Sequence, residues 1–496
     1  MDRRGFLRAA ATTGALTSGV GFGPGFWRSA FGAPAAPGPG PYGPLVESEV
    51  PGLFVPEGFS ARIVAVAGLP LGVTHSDPGL SFIWPPFPDG SATFATDDGG
   101  WVLAVNSEVP RASVARVALG LPVDGVSGGC SAIRFAPDGT VVDGYSILTG
   151  TDGNCAGGKT PWGTWISCEE PQLEPFSPTN PDWALGSSWE CDPFQPGQGV
   201  ARDAMGLFKH EGCAVDPVNG HVFLTEDESD GVFYRFIPDG YPDLSSGTLQ
   251  AAIVAENGSV TWGDVADPLA TQQRTANQVA GATRFDGGEG IWYDEGYVYF
   301  TTKNDHIVWV HDIANQTIFQ LFNAADHAEP VLGPLTPDDT SVDNCTVAPS
   351  GDLYVAEDGG DMELVIISAD KREVAAVTRL VGDNHAGSEV TGPSFSPDGT
   401  RLYFSSQRGS TLPIGTEDPT GQLPIFGNGF GVTYEVSGPF RTERVGIAAV
   451  GSSGQPEPMT PPVPREPPLP ATGGGSLVVA AAAIASAEAL RRRGSR

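Results

Sequence analysis

The pattern that decides the fold is clearest at residues 216–227, DPVNGHVFLTED. A turn rich in Asp, Asn and Gly leads into a short strand of β-branched and aromatic residues, which ends in a polar or acidic cluster. The same order recurs at residues 349–358, PSGDLYVAED. Comparable strand ends lie at residues 106–108, 168–170, 301–305 and 405–407.

These six copies are roughly 50 to 75 residues apart along the chain. That spacing suits four-stranded blades with long inter-strand loops, so we predict an all-β fold, a six-bladed β-propeller. A β-sandwich is the alternative, but it would not predict six strand ends of similar chemistry.

Composition agrees with an all-β chain and narrows the partners. The 496 residues are 40% hydrophobic, which is enough to bury a large core, and the 67 Gly and 45 Pro favour many turns over long helices. The formal net charge of -32 argues against a nucleic acid as partner, because phosphates and carboxylates repel each other. Cations are the natural partners of such a chain.

An acidic residue recurs at one position of the repeat. Glu211, Glu289 and Asp343 each precede the turn by five residues, and Glu389 precedes its turn by seven. The first strand of each propeller blade lines the central channel, so we expect these carboxylates to converge there. Like charges at short range raise one another's pKa unless cations bind between them. Oxygen ligands of this kind suit Ca²⁺.

One further segment carries candidate ligands, residues 154–170, NCAGGKTPWGTWISCEE. Its glycines allow the backbone to approach a bound ion closely. A Cys155 thiolate beside Glu169 and Glu170 would form a mixed sulfur and oxygen site. Considered alone, a Cys between glycines is also typical of a small buried residue.

Residues 154–170 closely resemble the hallmark segment of the PhoX-type alkaline phosphatases. The resemblance runs from about residue 50 to about residue 440 and implies a six-bladed, metal-dependent propeller that hydrolyses phosphomonoesters with two iron and about three calcium ions. Further segments in the family's order are 208–211 (FKHE), 225–236 (TEDESDGVFYRF), 356–359 (AEDG) and 391–399 (TGPSFSPDG).

The resemblance also assigns roles to particular residues. It implies that Cys155 is a thiolate ligand to iron, and that Glu169, Glu170, Glu211 and Glu289 bridge iron and calcium. Further calcium ligands are expected among Asp343, Asn344, Glu357, Asp358 and Glu389.

A basic group should bind the remaining phosphate oxygens. In the family an Arg is expected just before the acid that corresponds to Glu289, whereas here Arg284 lies five residues upstream. The candidates for the catalytic cation are therefore Arg284, Lys159 and Lys209, with His210 and Lys303 as substitutes.

Cysteines of exported proteins tend to pair. Cys168 and Cys191 flank a Pro-rich excursion, and we predict a disulfide between them. Cys213 and Cys345 each lie two residues after one of the recurring acidic residues and are expected to be buried. Cys130 has no assigned role.

The chain ends predict export and surface attachment. Residues 1–35 resemble a twin-arginine signal peptide, with the pair at Arg3 and Arg4, and residues 45–448 form the predicted propeller domain. A Pro-rich spacer at 449–468 precedes a sorting signal at 469–496, with an apolar run and a basic tail. The sortase motif consists of Leu469, Pro470, Thr472 and Gly473, around Ala471.

These ends make the export machinery and a sortase the expected partners, beside a small phosphorylated substrate. We expect a monomer at the cell surface or cell wall, or otherwise secreted. A disordered tail or a weak membrane anchor is the alternative reading of the C-terminus.

Three functions fit the sequence. The first is a phosphatase for phosphomonoesters, extending to phosphodiesters. The second is a calcium-dependent propeller esterase or lactonase, which would need no Cys ligand. The third is a non-catalytic surface propeller in which calcium only stabilises the blades.

Overall fold

The computed structural model describes residues 34–71, 82–111, 127–171, 186–328, 331–332, 341–409 and 429–445. Regular structure within these ranges consists of thirty β-strands and four short 3₁₀ helices. None of the helices in these ranges has the length and apolar character needed to span a bilayer. The 3₁₀ helices are Asp203–Met205, Thr275–Asn277, Ala324–Asp326 and Asp383–His385.

The strands are numbered in chain order. The first fifteen are β1 (Ala36–Pro37), β2 (Leu45–Glu47), β3 (Leu53–Pro56), β4 (Ser60–Val66), β5 (Pro88–Ala95), β6 (Trp101–Ser107), β7 (Gly128–Phe135), β8 (Val141–Thr151), β9 (Asn154–Lys159), β10 (Trp165–Glu169), β11 (Ser188–Cys191), β12 (Val200–Ala201), β13 (His210–Val215), β14 (Val222–Glu226) and β15 (Gly231–Val232). The others are β16 (Tyr234–Gly240), β17 (Asp243–Val254), β18 (Val260–Asp264), β19 (Arg284–Phe285), β20 (Gly288–Asp294), β21 (Tyr297–Thr302), β22 (Ile307–Asp312), β23 (Thr317–Asn323), β24 (Cys345–Val347), β25 (Leu353–Ala356), β26 (Glu363–Ile367), β27 (Glu373–Leu380), β28 (Val390–Phe395), β29 (Arg401–Ser406) and β30 (Val432–Ser437).

Most of these strands form sheets with their neighbours in the chain. Five sheets are built on β5–β8, on β9–β12, on β13, β14 and β16–β18, on β20–β23, and on β24–β27. The last of these is widened by β3, β2 and β1, and β15 pairs with β19 as a separate ribbon. A composite sheet joins β28–β30 to β4, so that the two ends of the propeller are held together by the β30–β4 ladder.

The innermost strand of each sheet lies against the innermost strand of the next. These inner strands are β5, β9, β13, β20, β24 and β28, and β28 returns to β5. Hydroxyl groups of second strands bridge the ring, since Thr225 donates to the Glu289 carbonyl at 2.5 Å and Thr301 donates to the Asp343 carbonyl at 2.7 Å. The inner strands are thereby fixed at close range around a common channel.

The prediction of an all-β propeller is confirmed, but the prediction of six blades is wrong. Within the described residues, five sheets are blades built from strands close together in the chain, and one of these five has five strands while another has seven. The composite sheet borrows β4 from the N-terminal region. The repeat could not predict this, because the pairing of distant strands depends on ring closure rather than on local pattern. In addition, β1 pairs with β27 ahead of the predicted domain start at residue 45.

The hydrophobic core fills the spaces between adjacent sheets. Between the third and fourth sheets, Phe233 stacks on Phe300 with ring centroids 4.4 Å apart, and Phe300 stacks on Trp309 at 6.1 Å. All three residues are buried. The alternating apolar residues of the repeat therefore face neighbouring sheets, which leaves the polar strand ends for the channel.

β-Bulges interrupt the inner strands where the acidic residues lie. The register of β13 shifts between His210 and Cys213, and that of β20 shifts between Gly288 and Ile291. An acid followed by glycine occupies each bulge, Glu211-Gly212 and Glu289-Gly290. A bulge bends its strand and changes the direction of a side chain. The side chain of the acidic residue therefore does not follow the regular alternation of side-chain directions along the strand.

The bulge glycines also allow neighbouring inner strands to approach. A Cβ atom on Gly290 would lie 2.5 Å from the Asn344 Cα, and one on Gly90 would lie 2.5 Å from the Ala156 Cα. Because these contacts are to backbone atoms, the neighbour cannot rotate away. Glycine is required at these positions for the width of the channel.

We therefore expect Gly290→Ala to destabilise the propeller by about 1–3 kcal/mol, the range for overpacking a close-packed site. Gly240→Ala is the matched control, since a Cβ atom there meets nothing within 4 Å. Chemical denaturation of the metal-free proteins measures both free energies of unfolding. Equal stability of Gly290→Ala and Gly240→Ala would show that the close approach is not a constraint.

Candidate metal centre

The bulges and strand ends bring the recurring acidic residues of the repeat together in the channel, as predicted. Glu211, Glu289 and Asp343 each offer a carboxylate oxygen, and these atoms lie within 4.8 Å of one another. All three residues are at most 5% exposed. Glu389, immediately before β28, is also buried. Four acids from four different sheets thus face a shared volume.

The segment 154–170 contributes a second group that shares one residue with the first. The Cys155 thiol and the carboxylates of Glu170 and Glu211 also lie within 4.8 Å of one another. Cys155 lies on β9 and Glu170 directly follows β10. Because Glu211 belongs to both groups, the two form one continuous set of donor atoms, with sulfur at one end and only oxygen at the other.

The donor set is electrostatically strained without a cation. Burial raises the pKa of Glu211, Glu289 and Asp343 well above the ordinary range, and neighbouring carboxylates raise it further. Burial likewise raises the pKa of Glu170 to about 7, although Lys209 acts in the opposite direction. The pKa of the Cys155 thiol is raised by burial and then by Glu211 and Glu170. Such groups stay charged only when a cation compensates them.

Unused donor atoms strengthen the fit to metal ions. Asp89 Oδ1 and Gln407 Oε1 are buried oxygens with no hydrogen-bond partner in the described part of the chain. Gln407 Nε2 donates to Asp89 at 2.8 Å and to Glu108 at 2.9 Å, which places all three residues in one cluster. A buried polar oxygen without a partner is costly unless it binds an ion or water. The residues present therefore fit metal binding.

Three basic side chains lie at the edge of this group of buried acids. Lys209 Nζ is 2.9 Å from Glu170, and Lys303 Nζ is 2.5 Å from Glu289 and 2.8 Å from Asp227. Arg408 Nη1 is 2.5 Å from Glu389. Between 23% and 34% of each basic side chain is exposed, so each joins the buried acids to solvent.

Two of the predicted cations lie elsewhere. Arg284 belongs to the β15–β19 ribbon, where it donates to the Asp230 carbonyl and to Asn277. Lys159 lies at the far end of β9, donates to the Thr93 carbonyl at 2.7 Å and covers the Phe94 ring. The structure thus contradicts Arg284 and Lys159 as channel cations, because the first sits on a separate ribbon and the second four residues beyond Cys155.

The predicted ligands Glu169 and Glu170 separate in the structure. Both carboxylate oxygens of Glu169 accept backbone N–H groups, from Asp152 and from Ser187, each at 3.0 Å. Successive residues of a strand point in opposite directions, so only Glu170 faces the thiol. Glu169 holds the loop at residues 152–154 against β10 and is not brought into the donor set.

The remaining predicted ligands are less direct. Asn344 donates to Asp343 at 2.8 Å and accepts from the Gly392 N–H at 2.7 Å. Its side-chain amide therefore links Asp343 to β28. Glu357 accepts the N–H of Glu363 at 3.0 Å. Asp358 is near enough to raise the pKa of Glu389 and of Asp343. Asp358 is thus close to two of the channel acids.

Several channel residues were missed from the sequence. They are Asp89, Glu108, Asp227 and Arg408. Asp89 had a usable signal, because Asp89-Gly90 repeats the acid–Gly pairs of β13 and β20 within a bulge of β5. Arg408 directly follows the recurring strand end at 405–407. Its role became visible only when β28 and β29 placed it beside Glu389.

The predicted disulfide between Cys168 and Cys191 is wrong. Both residues lie on paired strands, but Cys168 is opposite Ser188 and Cys191 is opposite Trp165. Three register positions therefore separate the two thiols along the β10–β11 ladder. Proximity in sequence across the excursion did not determine the strand register.

The fold and the site together define a class, an all-β propeller whose channel gathers a thiol, buried carboxylates and basic side chains. The family model described as alkaline phosphatase PhoX matches residues 123–409. The chain therefore belongs to the PhoX alkaline phosphatase family and is a phosphatase. No match to a curated protein was found.

Solved structures agree on the propeller. PhoX of Pseudomonas fluorescens, in complex with vanadate, a transition state analogue, aligns with a TM-score of 0.58 and 19% identity, over 84% of this chain and 99% of that one. Gluconolactonase of Xanthomonas campestris gives a TM-score of 0.40 and 13% identity, over 81% and 99%. Regucalcin, a calcium-binding protein of Agrobacterium tumefaciens, gives 0.37 and 12%, over 78% and 98%. The first likeness supports the fold, and the other two are too weak to support an inference.

The raised carboxyl pKa values predict an unusual pH dependence of the metal-free protein. Glu170 and Glu389, with pKa values of about 7 and about 8 in the folded protein, keep their protons to a higher pH when folded than when unfolded. The folded state then binds more protons, so the free energy of unfolding should fall as pH rises from about 5 to 8, by on the order of 6 kcal/mol for the two groups together.

Thermal denaturation of chelator-treated protein between pH 5 and pH 8 measures this slope. Glu170→Gln should reduce the slope and leave the part due to Glu389, whereas Glu256→Gln, a change at an exposed residue, should leave the slope intact. Metal-free protein that becomes more stable from pH 5 to pH 8 would contradict the electrostatic description of the channel.

Proposed function

We propose that the protein is an exported, metal-dependent phosphatase that hydrolyses phosphomonoesters, and by extension phosphodiesters, in the propeller channel. The observation that carries the proposal is the continuous donor set through Glu211, with Cys155 at one end and Asp343 at the other. Basic side chains at its edge add a binding site for phosphate oxygens.

The donor chemistry divides the set between two kinds of ion. A thiolate with carboxylates suits iron, so Cys155, Glu170 and Glu211 would hold iron. Carboxylates alone suit calcium, so Glu211, Glu289 and Asp343, with Glu389 and Asp358 nearby, would hold calcium. We propose two iron and about three calcium ions. When bound, such ions act as Lewis acids toward phosphate oxygens and neutralise charge that develops in the transition state.

The chain's own cations would orient the substrate. Burial disfavours the charge on Lys303, but Asp227 and Glu289 outweigh it and raise the pKa of the ammonium group. Lys209 and Arg408 are held charged in the same way by Glu170 and by Glu389. Arg408 can offer two parallel N–H groups to one phosphate, whereas each lysine acts as a point charge.

Because the three cations come from different sheets, they would approach a phosphate group from different sides and limit its rotation. Their partial exposure lets them reach a substrate that enters from solvent. Fixed donors that match the developing charge are a major source of catalysis in phosphoryl transfer.

The alternatives make different demands on the site. A calcium-dependent esterase or lactonase has no use for Cys155 in the donor set, and a non-catalytic propeller has no use for partly exposed cations against buried acids. We also propose twin-arginine export and sortase attachment of a monomer to the cell wall. The signal at 1–35, the spacer at 449–468 and the motif residues Leu469, Pro470, Thr472 and Gly473 lie outside the described residues, apart from residues 34 and 35.

Metal analysis combined with p-nitrophenyl phosphate turnover tests the proposal. We expect iron near two per chain, calcium in addition, and turnover that a chelator abolishes and metal readdition restores. Cys155→Ala should lose iron, whereas Cys345→Ala, at a buried cysteine of another inner strand outside the donor set, should retain it. Calcium alone with no release of phosphate would refute the proposed reaction.

Replacement of the edge cations tests the substrate site. Lys303→Met should lower kcat/KM by roughly 100-fold or more, the scale for losing one preorganised charge donor. Lys159→Met, which removes an exposed lysine at the far end of β9 from Cys155, should change it less than about threefold. Steady-state kinetics on metal-replete enzymes measures both, and equal effects of the two changes would argue against Lys303 as a phosphate ligand.

A further inference from the structure

A cavity of about 250 Å³ lies between the fourth and fifth sheets of the propeller. Its lining residues come from the turns that join β20 to β21, β24 to β25 and β26 to β27, and from the adjoining strands. Asp294 ends β20 at this cavity, whereas Glu289 lies near the start of the same strand. At about 3.3 Å per residue, the two are roughly 16 Å apart. The cavity is therefore separate from the metal centre and lies toward the opposite end of the propeller.

Two arginines bring positive charge to this cavity. Arg372, in the turn between β26 and β27, is 9% exposed, and its backbone N–H donates to the Ser368 carbonyl at 2.8 Å. Arg444 is partly exposed at the rim, where its guanidinium donates to both carboxylate oxygens of Asp294. The Arg372 charge has lost most of its contact with water, so it would attract an anion inside the cavity more strongly than a surface arginine would.

A tyrosine hydroxyl adds a neutral hydrogen-bond donor to the two arginines. Tyr299 is buried and lines the same cavity as Arg372 and Arg444. Burial raises the pKa of Tyr299 to about 12, although both arginines act in the opposite direction. The phenol therefore stays protonated near neutral pH, and its hydroxyl can donate to an anion.

The inner wall of the cavity is apolar. Leu321, Leu353 and Ile367 line it, and all three are buried. An inorganic anion would leave this wall in contact with water, whereas an organic anion would cover it. A cavity of about 150 Å³ accommodates benzene, so this larger one has room for a ring with a charged substituent.

We propose that this cavity is a second ligand site, which binds a small carboxylate with an apolar or aromatic body. The carboxylate would accept hydrogen bonds from Arg372 and from the Tyr299 hydroxyl, near Arg444, and the body would lie against the apolar wall. Because Arg444 is shared with Asp294, a singly charged group matches the cavity better than a phosphate dianion does. The distance from the metal centre makes this ligand an effector rather than a substrate, and the proposal does not rest on the phosphatase reaction.

The position of the cavity gives its ligand a consequence for the fold. The Ala36 N–H, in β1, donates to the Arg372 carbonyl at 3.0 Å, and the Val445 N–H donates to the Ser350 carbonyl at 3.0 Å. The first and last segments that the structure describes are thus both attached beside the cavity. A ligand that contacts both arginines would link these two attachments, so its binding should stabilise the propeller against unfolding.

Isothermal titration calorimetry of the full-length, metal-replete protein with benzoate tests the site. We expect one site per chain with a Kd of roughly 0.1–1 mM, the scale for a ligand of about nine heavy atoms. Acetate should bind at least about tenfold more weakly, because it cannot cover the apolar wall. Arg372→Met should weaken benzoate binding by about tenfold or more. Arg134→Met, at an arginine of the first sheet that is paired with Asp98, should leave it unchanged.

Tyr299→Phe removes one hydroxyl without emptying the cavity, so it tests the site even if Arg372→Met does not fold. It should weaken benzoate binding by about threefold or more. For the wild type, benzoate at about ten times its Kd should raise Tm by roughly 2 °C.

Three results would overturn the proposal. They are the absence of benzoate binding, equal affinities for acetate and benzoate, and benzoate binding that Lys303→Met removes but Arg372→Met does not, which would place the ligand at the metal centre. Neither calorimetry nor Tm depends on the release of phosphate, so the failure of this site and the failure of the proposed reaction are distinguishable.

Discussion

Repulsion between buried carboxylates is the constraint on which the channel depends. Glu211 takes part in both donor groups, and burial together with neighbouring acids raises its pKa well above the ordinary range. The fold nevertheless places it, Glu289 and Asp343 within a few ångströms of one another. Close packing elsewhere must supply the stability for this arrangement, because the bulges and their glycines hold the acids in place without neutralising them.

Buried acids outside the channel differ from the channel acids because they are paired with arginine inside the protein. Glu435 is paired with Arg62 and Arg401, both at 2.5 Å, and Asp352 is paired with Arg441 at 2.5 Å. These pairs satisfy the carboxylates within the protein, as expected for structural charges. In the donor set the acids outnumber their cations and the cations are partly exposed. The contrast supports a functional reading of the channel, since the same chain pairs its structural acids with arginine.

The sequence predicted which residues meet in the channel when their meeting depends on local pattern. The acids at one register position meet because equivalent positions of inner strands face one axis, and Cys155 meets Glu170 because β9 and β10 form one hairpin. It failed where the outcome depends on register or on distant elements. Cys191 is displaced from Cys168 by the β10–β11 ladder, and Arg284 is drawn into a ribbon with β15. Glu169 was included because it adjoins Glu170, although the strand turns its side chain away.

By itself, the sequence determined the propeller class, the family and most of the acids that meet in the channel. The turn-and-strand repeat and the segment at 154–170 are local features, so they can be recognised without knowledge of the tertiary structure. Only the tertiary structure decided how the sheets close, with β4 pairing with β30, and which cations accompany the acids. These contacts join residues far apart in the chain, and their geometry follows from the packing of whole sheets around the channel rather than from any local preference.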